Sequence, residues 1–380
     1  MPHPNADFAF SGAYGLEKTK SAASHSLPAS MAPPELPPSI QHRIARRACG
    51  LRPRTIRRLL GPPPRLDGQE LAPDIQMMLR LAELEGEFSL VEGREVEQAR
   101  AENLAGVPVV CGPTRPMARV EELTIPGPNG EIPARFYEAP NAPPAPGPLL
   151  VYYHGGGWVI GDLETHDGLC RFLATFGGCR VLAVDYRLAP EHPFPAAVDD
   201  AVAAFGWASE HAAELDADPE RIAVGGDSAG ANLSAAVCLA TRDPGPRPAL
   251  QLLLYPPTDV VGDQPSRETF AKGFLLTRND MRWFEGHYLP DGCAPDDPRV
   301  SMMRAPDLAN FPPAYVATAG FDPLRDEGET YAARMREAGG KVALRRYPNL
   351  IHGFANLTAI SPSSKAAMLE VAGALRLGLA

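Results

Sequence analysis

From about residue 119 onward, apolar runs of β type alternate with helical stretches. "PLLVYYH", "RVLAVDY", "RIAVGGD", "LQLLLYP", "AYVATAG" and "VALRRYP" are separated by segments such as "DGLCRFLATFG", "PAAVDDAVAAFGWASEHAAEL" and "DEGETYAARMREAGG", and "SSKAAMLEVAGALRLGL" comes last. This rhythm leaves few solutions: the strands lie in a mostly parallel sheet and helices cover both faces, which makes the chain α/β. "VEELTIPGPNGEIPARFYEAP" reads as two alternating strands around a Pro-Asn-Gly turn, so an antiparallel hairpin leads into the sheet. Residues 262–311 break the rhythm with aromatic and proline-rich sequence, and read as an insertion over the strand ends, where open sheets bind ligands.

The front of the chain is of another kind. Residues 1–40 are rich in Ser, Ala and Pro without a sustained period, and read as a flexible tail. Residues 42–65 carry eight arginines and no acid. Pro53 and the prolines at 62–64 break any long amphipathic helix there. The run is therefore read as one or two short helices lying on an acidic body, in preference to a membrane- or nucleic-acid-binding patch. Ile75, Met78, Leu79, Leu81 and Leu84 recur at helical spacing with a stop at Gly86, and "EGREVEQARAENLAG" reads as another helix. The organisation expected is a tail over 1–40, N-terminal helices over 41–110 and a catalytic domain over 111–380.

Composition sets the remaining bounds. At 380 residues and 44% hydrophobic, the chain can bury a substantial core. Its net charge of −10 argues against a nucleic-acid partner for the folded body. The six cysteines form no CxxC pair and read as buried free thiols of a reducing compartment, not as metal ligands. No signal peptide and no apolar run of membrane-spanning length is found, so a cytoplasmic protein without stable membrane insertion is expected. A homodimer is the default assembly.

Chemistry concentrates where the runs end. "RIAVGGDSAGANLSAAV" holds G-x-S-x-G at Gly226–Gly230, fed by a β-type run and followed by a helix from about Asn232. Such a turn lifts the Ser228 hydroxyl above the sheet, and the helix N-terminus behind it favours negative charge. A serine needs a base, oriented in turn by a carboxylate. His3, His25 and His42 lie at the front, His211 in a surface helix and His287 in the insertion, while His154 and His192 have Gly/Pro-rich loops of their own. His352, just after the last run in "YPNLIHGFANL", falls at the carboxyl edge on the side of Ser228. Where the order is Ser, acid, His, the carboxylate lies between them. Asp322 in "AYVATAGFDPLRDEG" is preferred and Asp259 is the competitor.

"VYYHGGGW" stops a buried run in bare backbone. Acyl transfer makes an oxyanion that fixed N–H donors stabilise, and side chains there would crowd the substrate carbonyl. Gly156 and Gly157 are the favoured donors, with Gly155 an alternative and Ala229 adding another; His154 is read as holding the loop.

Taken together, "HGGGW", "DYRLAPEHPFPAA", "GDSAGAN", "DPLRDEG" and "HGF" resemble the hormone-sensitive-lipase family of microbial esterases (bacterial family IV), from about residue 71 to the C-terminus. The resemblance implies an α/β-hydrolase fold, a Ser228–Asp322–His352 triad, an HGGG oxyanion hole, and a cap made of the N-terminal helices and the insertion. It also implies hydrolysis of small carboxylic esters, short to medium in acyl length, without metal or organic cofactor. An amide hydrolase or deacetylase would use the same residues, and a catalytically silent ligand-binding protein is the other alternative. "DYRLAPEHPFPAA" has no derivable chemical role and is read as a network bracing its loop.

Overall fold

The computed structural model describes residues 36–86, 89–242 and 245–380. Most of the stretch read as a tail, residues 1–35, lies outside the described residues. The front is helical: α1 (Pro38–Cys49), α2 (Pro53–Leu60), a short hairpin of β1 (Arg65–Leu66) and β2 (Gln69–Glu70), α3 (Pro73–Leu84) and α4 (Val96–Cys111). Helix α1 thus begins inside the expected tail, and prolines at the first helical turn open α1, α2 and α3, where a missing N–H costs nothing. The expected stripe on α3 is only half inside: Ile75 is buried, whereas Leu84 is 68% exposed.

Next come β3 (Arg119–Gly127), β4 (Gly130–Glu138), β5 (Gly147–Tyr153), α5 (Leu163–Phe176), β6 (Arg180–Val184), α6 (Ala196–Glu210), β7 (Ala217–Asp227), α7 (Ala229–Ala240) and β8 (Gln251–Leu254). The insertion holds α8 (Pro265–Thr269) and α9 (Arg278–Tyr288). The chain closes with β9 (Ala314–Phe321), α10 (Arg325–Glu337), β10 (Val342–Ile351) and α11 (Pro362–Gly378).

The main sheet has eight strands in the order β10-β9-β8-β7-β5-β6-β4-β3. All pairings from β10 to β6 are parallel, and β4 joins β6 and β3 antiparallel, so the leading hairpin forms one edge. The central strands are apolar at every position because helices cover both faces. On β5, Leu149, Val151 and Tyr153 enter one core with α6, α7 and α10, while Leu150 and Tyr152 enter the other with α5 and α11. Strand order reverses between β5 and β7, which opens a crevice at their carboxyl ends.

Candidate active site

One rule of placement organises the crevice. His154, Ser228, Tyr255, Asp322 and His352 are each the first residue after a strand: β5, β7, β8, β9 and β10. Five side chains therefore project from one edge of the sheet.

Ser228 has φ +52° and ψ −120°, a conformation that non-glycine residues rarely adopt. Helix α7 starts directly behind it at Ala229, three residues earlier than expected from sequence. The flanking glycines are obligatory. A Cβ on Gly226 would lie 2.4 Å from the Tyr153 carbonyl oxygen, and one on Gly230 only 1.8 Å from the same atom.

His352 Nε2 lies 3.0 Å from Ser228 Oγ, and its Nδ1 is 2.9 Å from Asp322 Oδ2. Asp322 is fully buried and its other oxygen accepts the Leu324 N–H at 2.8 Å. The Tyr255 ring packs 4.7 Å from the imidazole. The rival carboxylate is engaged elsewhere: Asp259 is held by Arg304 through two bonds of 3.0 Å. Of the two acids weighed from sequence, only Asp322 meets the histidine.

The HGGG loop lies beside the serine turn. The Gly155 N–H is already spent on Asp227 Oδ1 at 3.0 Å. Among the described residues no acceptor pairs with the N–H of Gly156, Gly157 or Ala229. The glycines answer to the protein's own packing more than to a substrate: a Cβ on Gly156 would lie 2.1 Å from the Ile160 carbonyl oxygen, and one on Gly157 2.2 Å from the Phe284 ring. His154 is buried, bonds the Gly155 carbonyl through Nδ1 at 2.8 Å and stacks on Tyr186. Burial pulls its pKa down to about 4, so the imidazole is neutral at pH 7 and its 3.9 Å approach to Asp185 is no ion pair.

Sequence reasoning passed over the residues that hold this edge together. Asp227, quoted in the serine motif but given no role, accepts the Tyr152 hydroxyl at 2.6 Å, Asn356 Nδ2 at 3.2 Å and the Gly155 N–H. His166 stands 3.3 Å from the same carboxylate. Burial alone would raise its pKa; the His166 ring and the Tyr152 hydroxyl outweigh that and hold it at about 2. Only its place next to the serine could have marked Asp227, and nothing in the pattern marks His166. Glu327, in the first turn of α10, is buried and accepts the Thr258 N–H at 2.8 Å and the Arg267 Nε–H at 2.8 Å. The "DYRLAPEHPFPAA" stretch does brace: Arg187 grips Asp200, and Glu191 takes both Nη groups of Arg100 on α4.

Above the edge is a cavity of about 200 Å³, walled by Val107 and Val110 of α4, Met281 and Phe284 of α9, and Leu275 and Ile160. Of the nearby aromatic residues, Trp158 and Phe284 line it, whereas Phe270 and Phe274 pack on Phe321 in the core and Tyr288 stacks on Trp158. Asp280 on α9 links the two walls: its carboxylate accepts N–H groups of Leu90, Val91 and Glu92 at 3.3, 2.9 and 3.1 Å. Among the described residues no cluster of three His, Cys, Asp or Glu is placed to hold a metal ion, and all six cysteines are unpaired thiols.

A parallel sheet led in by a hairpin, with a serine on a strained strand-to-helix turn at the switch point, defines the class of α/β hydrolases. The alpha/beta hydrolase fold family matches residues 150–356. The chain belongs to it, and within it to the hormone-sensitive-lipase-type (family IV) esterases. It is 49% identical over 318 residues to the carboxylic ester hydrolase LipN of Mycobacterium tuberculosis, covering 82% of this chain and 84% of that one. It is 40% identical to the carboxylesterase NlhH of the same organism, covering 81% and 97%. Among solved structures, an ester hydrolase from the Lake Arreo metagenome is similar with a TM-score of 0.77 at 41% identity, over 81% of this chain and 98% of that one. An esterase of Pyrobaculum calidifontis gives 0.75 at 37%, over 82% and 100%.

Proposed function

We propose that this carboxylesterase cleaves small carboxylic esters through an acyl-enzyme on Ser228. The reading is carried by the hydrogen-bonded chain from Asp322 through His352 to Ser228 Oγ, with steps of 2.9 and 3.0 Å. His352 Nε2 takes the hydroxyl proton as Oγ attacks the ester carbonyl carbon. Asp322 holds Nδ1–H, fixing the ring and favouring the imidazolium that forms. The carbonyl oxygen becomes an oxyanion and accepts from Gly156, Gly157 and Ala229, whose N–H groups are unspent; each such donor is worth roughly 3–4 kcal/mol. Collapse expels the alcohol, which takes its proton from Nε2–H. Water then repeats the sequence at the acyl carbon, releasing the acid and restoring Ser228.

The small apolar cavity suits acyl groups of short to medium length. Residues 41–110 and 262–311 act together as a cap that walls it. The test is Ser228→Ala, which should lower kcat by about 10⁴–10⁶ with an unchanged melting curve. A tenth of wild-type activity remaining in the purified variant would refute the assignment. Paired p-nitrophenyl butyrate and butyryl p-nitroanilide assays separate ester from amide preference, and the ester should be the faster.

A further inference from the structure

Among the described residues most of the arginine-rich front has no acid beside it. Of its eight arginines, Arg57 and Arg65 pair with Glu70. Among the described residues no carboxylate is within ion-pair reach of Arg43, Arg46, Arg47, Arg52, Arg54 or Arg58, and all six are exposed. The two short helices expected from sequence are present as α1 and α2, but most of their guanidinium groups have no acid beside them.

Apolar side chains share the same face. On α1, Ile40, Arg43, Ile44 and Arg47 follow the i, i+3, i+4, i+7 spacing of a single stripe, while His42 and Cys49 point the other way and are buried. Ile40 is 39% and Ile44 47% exposed; next along the chain Leu51 is 39% and Leu59 on α2 63% exposed. Large aliphatic side chains standing between unpaired guanidinium groups suit an interface with apolar depth and anionic headgroups. A polyanion such as nucleic acid would use the arginines and leave the isoleucines in water.

We propose that α1 and α2 dock this protein on the surface of an anionic lipid bilayer, lying in the headgroup plane without crossing it. Charge complementarity supports that occupant: the whole chain is net −10, yet no acid occurs from residue 36 to 66. This face is attracted while the rest of the chain, on balance acidic, is repelled, which orients the molecule. It also points the cap at the lipid. Leu59 borders a cleft shared with Leu275, and Leu275 lines the active-site cavity as well. Among the described residues no helix is long and apolar enough to cross a membrane, so the attachment is peripheral.

The test is co-sedimentation of the full chain with phosphatidylcholine vesicles containing none or about a third phosphatidylglycerol. Each arginine near an anionic surface strengthens partitioning about fivefold. Wild type should bind the mixed vesicles at least tenfold better than pure phosphatidylcholine and lose that advantage in about 1 M salt. Arg43→Gln, Arg47→Gln, Arg54→Gln and Arg58→Gln together should weaken binding at least thirtyfold, and Ile40→Ser with Ile44→Ser about tenfold. Both sets should keep wild-type kcat/KM on soluble p-nitrophenyl acetate. Equal wild-type binding to the two vesicle types, which needs no variant, overturns the proposal. So does wild-type-like binding by either folded variant. Tight binding to a single-stranded oligonucleotide that ignores the isoleucine changes would make the face a polyanion site and overturn it too.

Discussion

The strand edge and the roof above it are built on different principles. At the edge, position comes from the backbone: five residues take the first place after five strands, and Gly226 and Gly230 leave no room for a Cβ. Hydrogen bonds then converge on single buried groups, four of them on Asp227. The roof has no sheet to fix it. Its two parts, from separate stretches of the sequence, are joined by side chains reaching for backbone, as Asp280 does to residues 90–92 and Trp283 does to the Arg94 carbonyl. A frame held by a ladder fails all at once, whereas one held by a few latches can give way locally. Changes at the edge should therefore appear in kcat or global stability, and changes in the roof in KM.

The sharpest probe of the edge is its carboxylate. Asp322→Asn should keep the fold and KM but lower kcat by about 10²–10⁴, because the amide no longer holds the imidazole in its working tautomer. Asp259→Asn, which only frees Arg304, should leave kcat within a few-fold. Matched kinetics with the losses reversed would show that the ladder does not set the chemistry.

A second probe uses proton binding. In the folded chain His154 accepts a proton only at about pH 4, because burial opposes the charge, whereas in the unfolded chain it does so near 6.5. Between those values the unfolded state binds more protons, so stability falls as pH is lowered through the window. Urea melts at pH 7.0 and 4.5 should differ by about 2–3 kcal/mol on this account. His154→Asn should flatten the difference by that amount. A variant as acid-sensitive as wild type would remove His154 from the explanation.

The same contrast explains what could be read in advance. The places of Ser228, Asp322, His352 and the HGGG loop were legible because strand ends are visible in sequence: an apolar run stops, and chemistry-bearing residues follow. The start of α7 was misjudged by three residues, since a helix beginning right after a strained serine has no ordinary capping signal. Asp280 closes a local capping box with Thr277, but its reach to residues 90–92 was not legible. Those partners lie about 190 residues away and are backbone groups, which carry no sequence identity. Which arginines of α1 and α2 would meet acid was hidden for a related reason, because it depends on packing.

Asp280→Asn asks whether edge and roof are separable. The carboxylate is fully buried and also accepts the Thr277 N–H and hydroxyl at 2.9 and 2.7 Å, so an amide nitrogen in place of either oxygen would face donors instead of offering a lone pair. Residues 89–92 should then loosen from α9 and let water into the cavity. If the latch acts on the roof alone, KM for a butyrate ester should rise about three- to tenfold with kcat within twofold, since binding surface is lost while the reacting groups stay in place. The complication is Phe284, one turn further along α9, whose ring fills the space a side chain on Gly157 would need. A shift of α9 would withdraw that ring from the oxyanion loop. A hundredfold fall in kcat at constant KM would mean that the roof positions Gly157 through Phe284, and Phe284→Ala should then reproduce it.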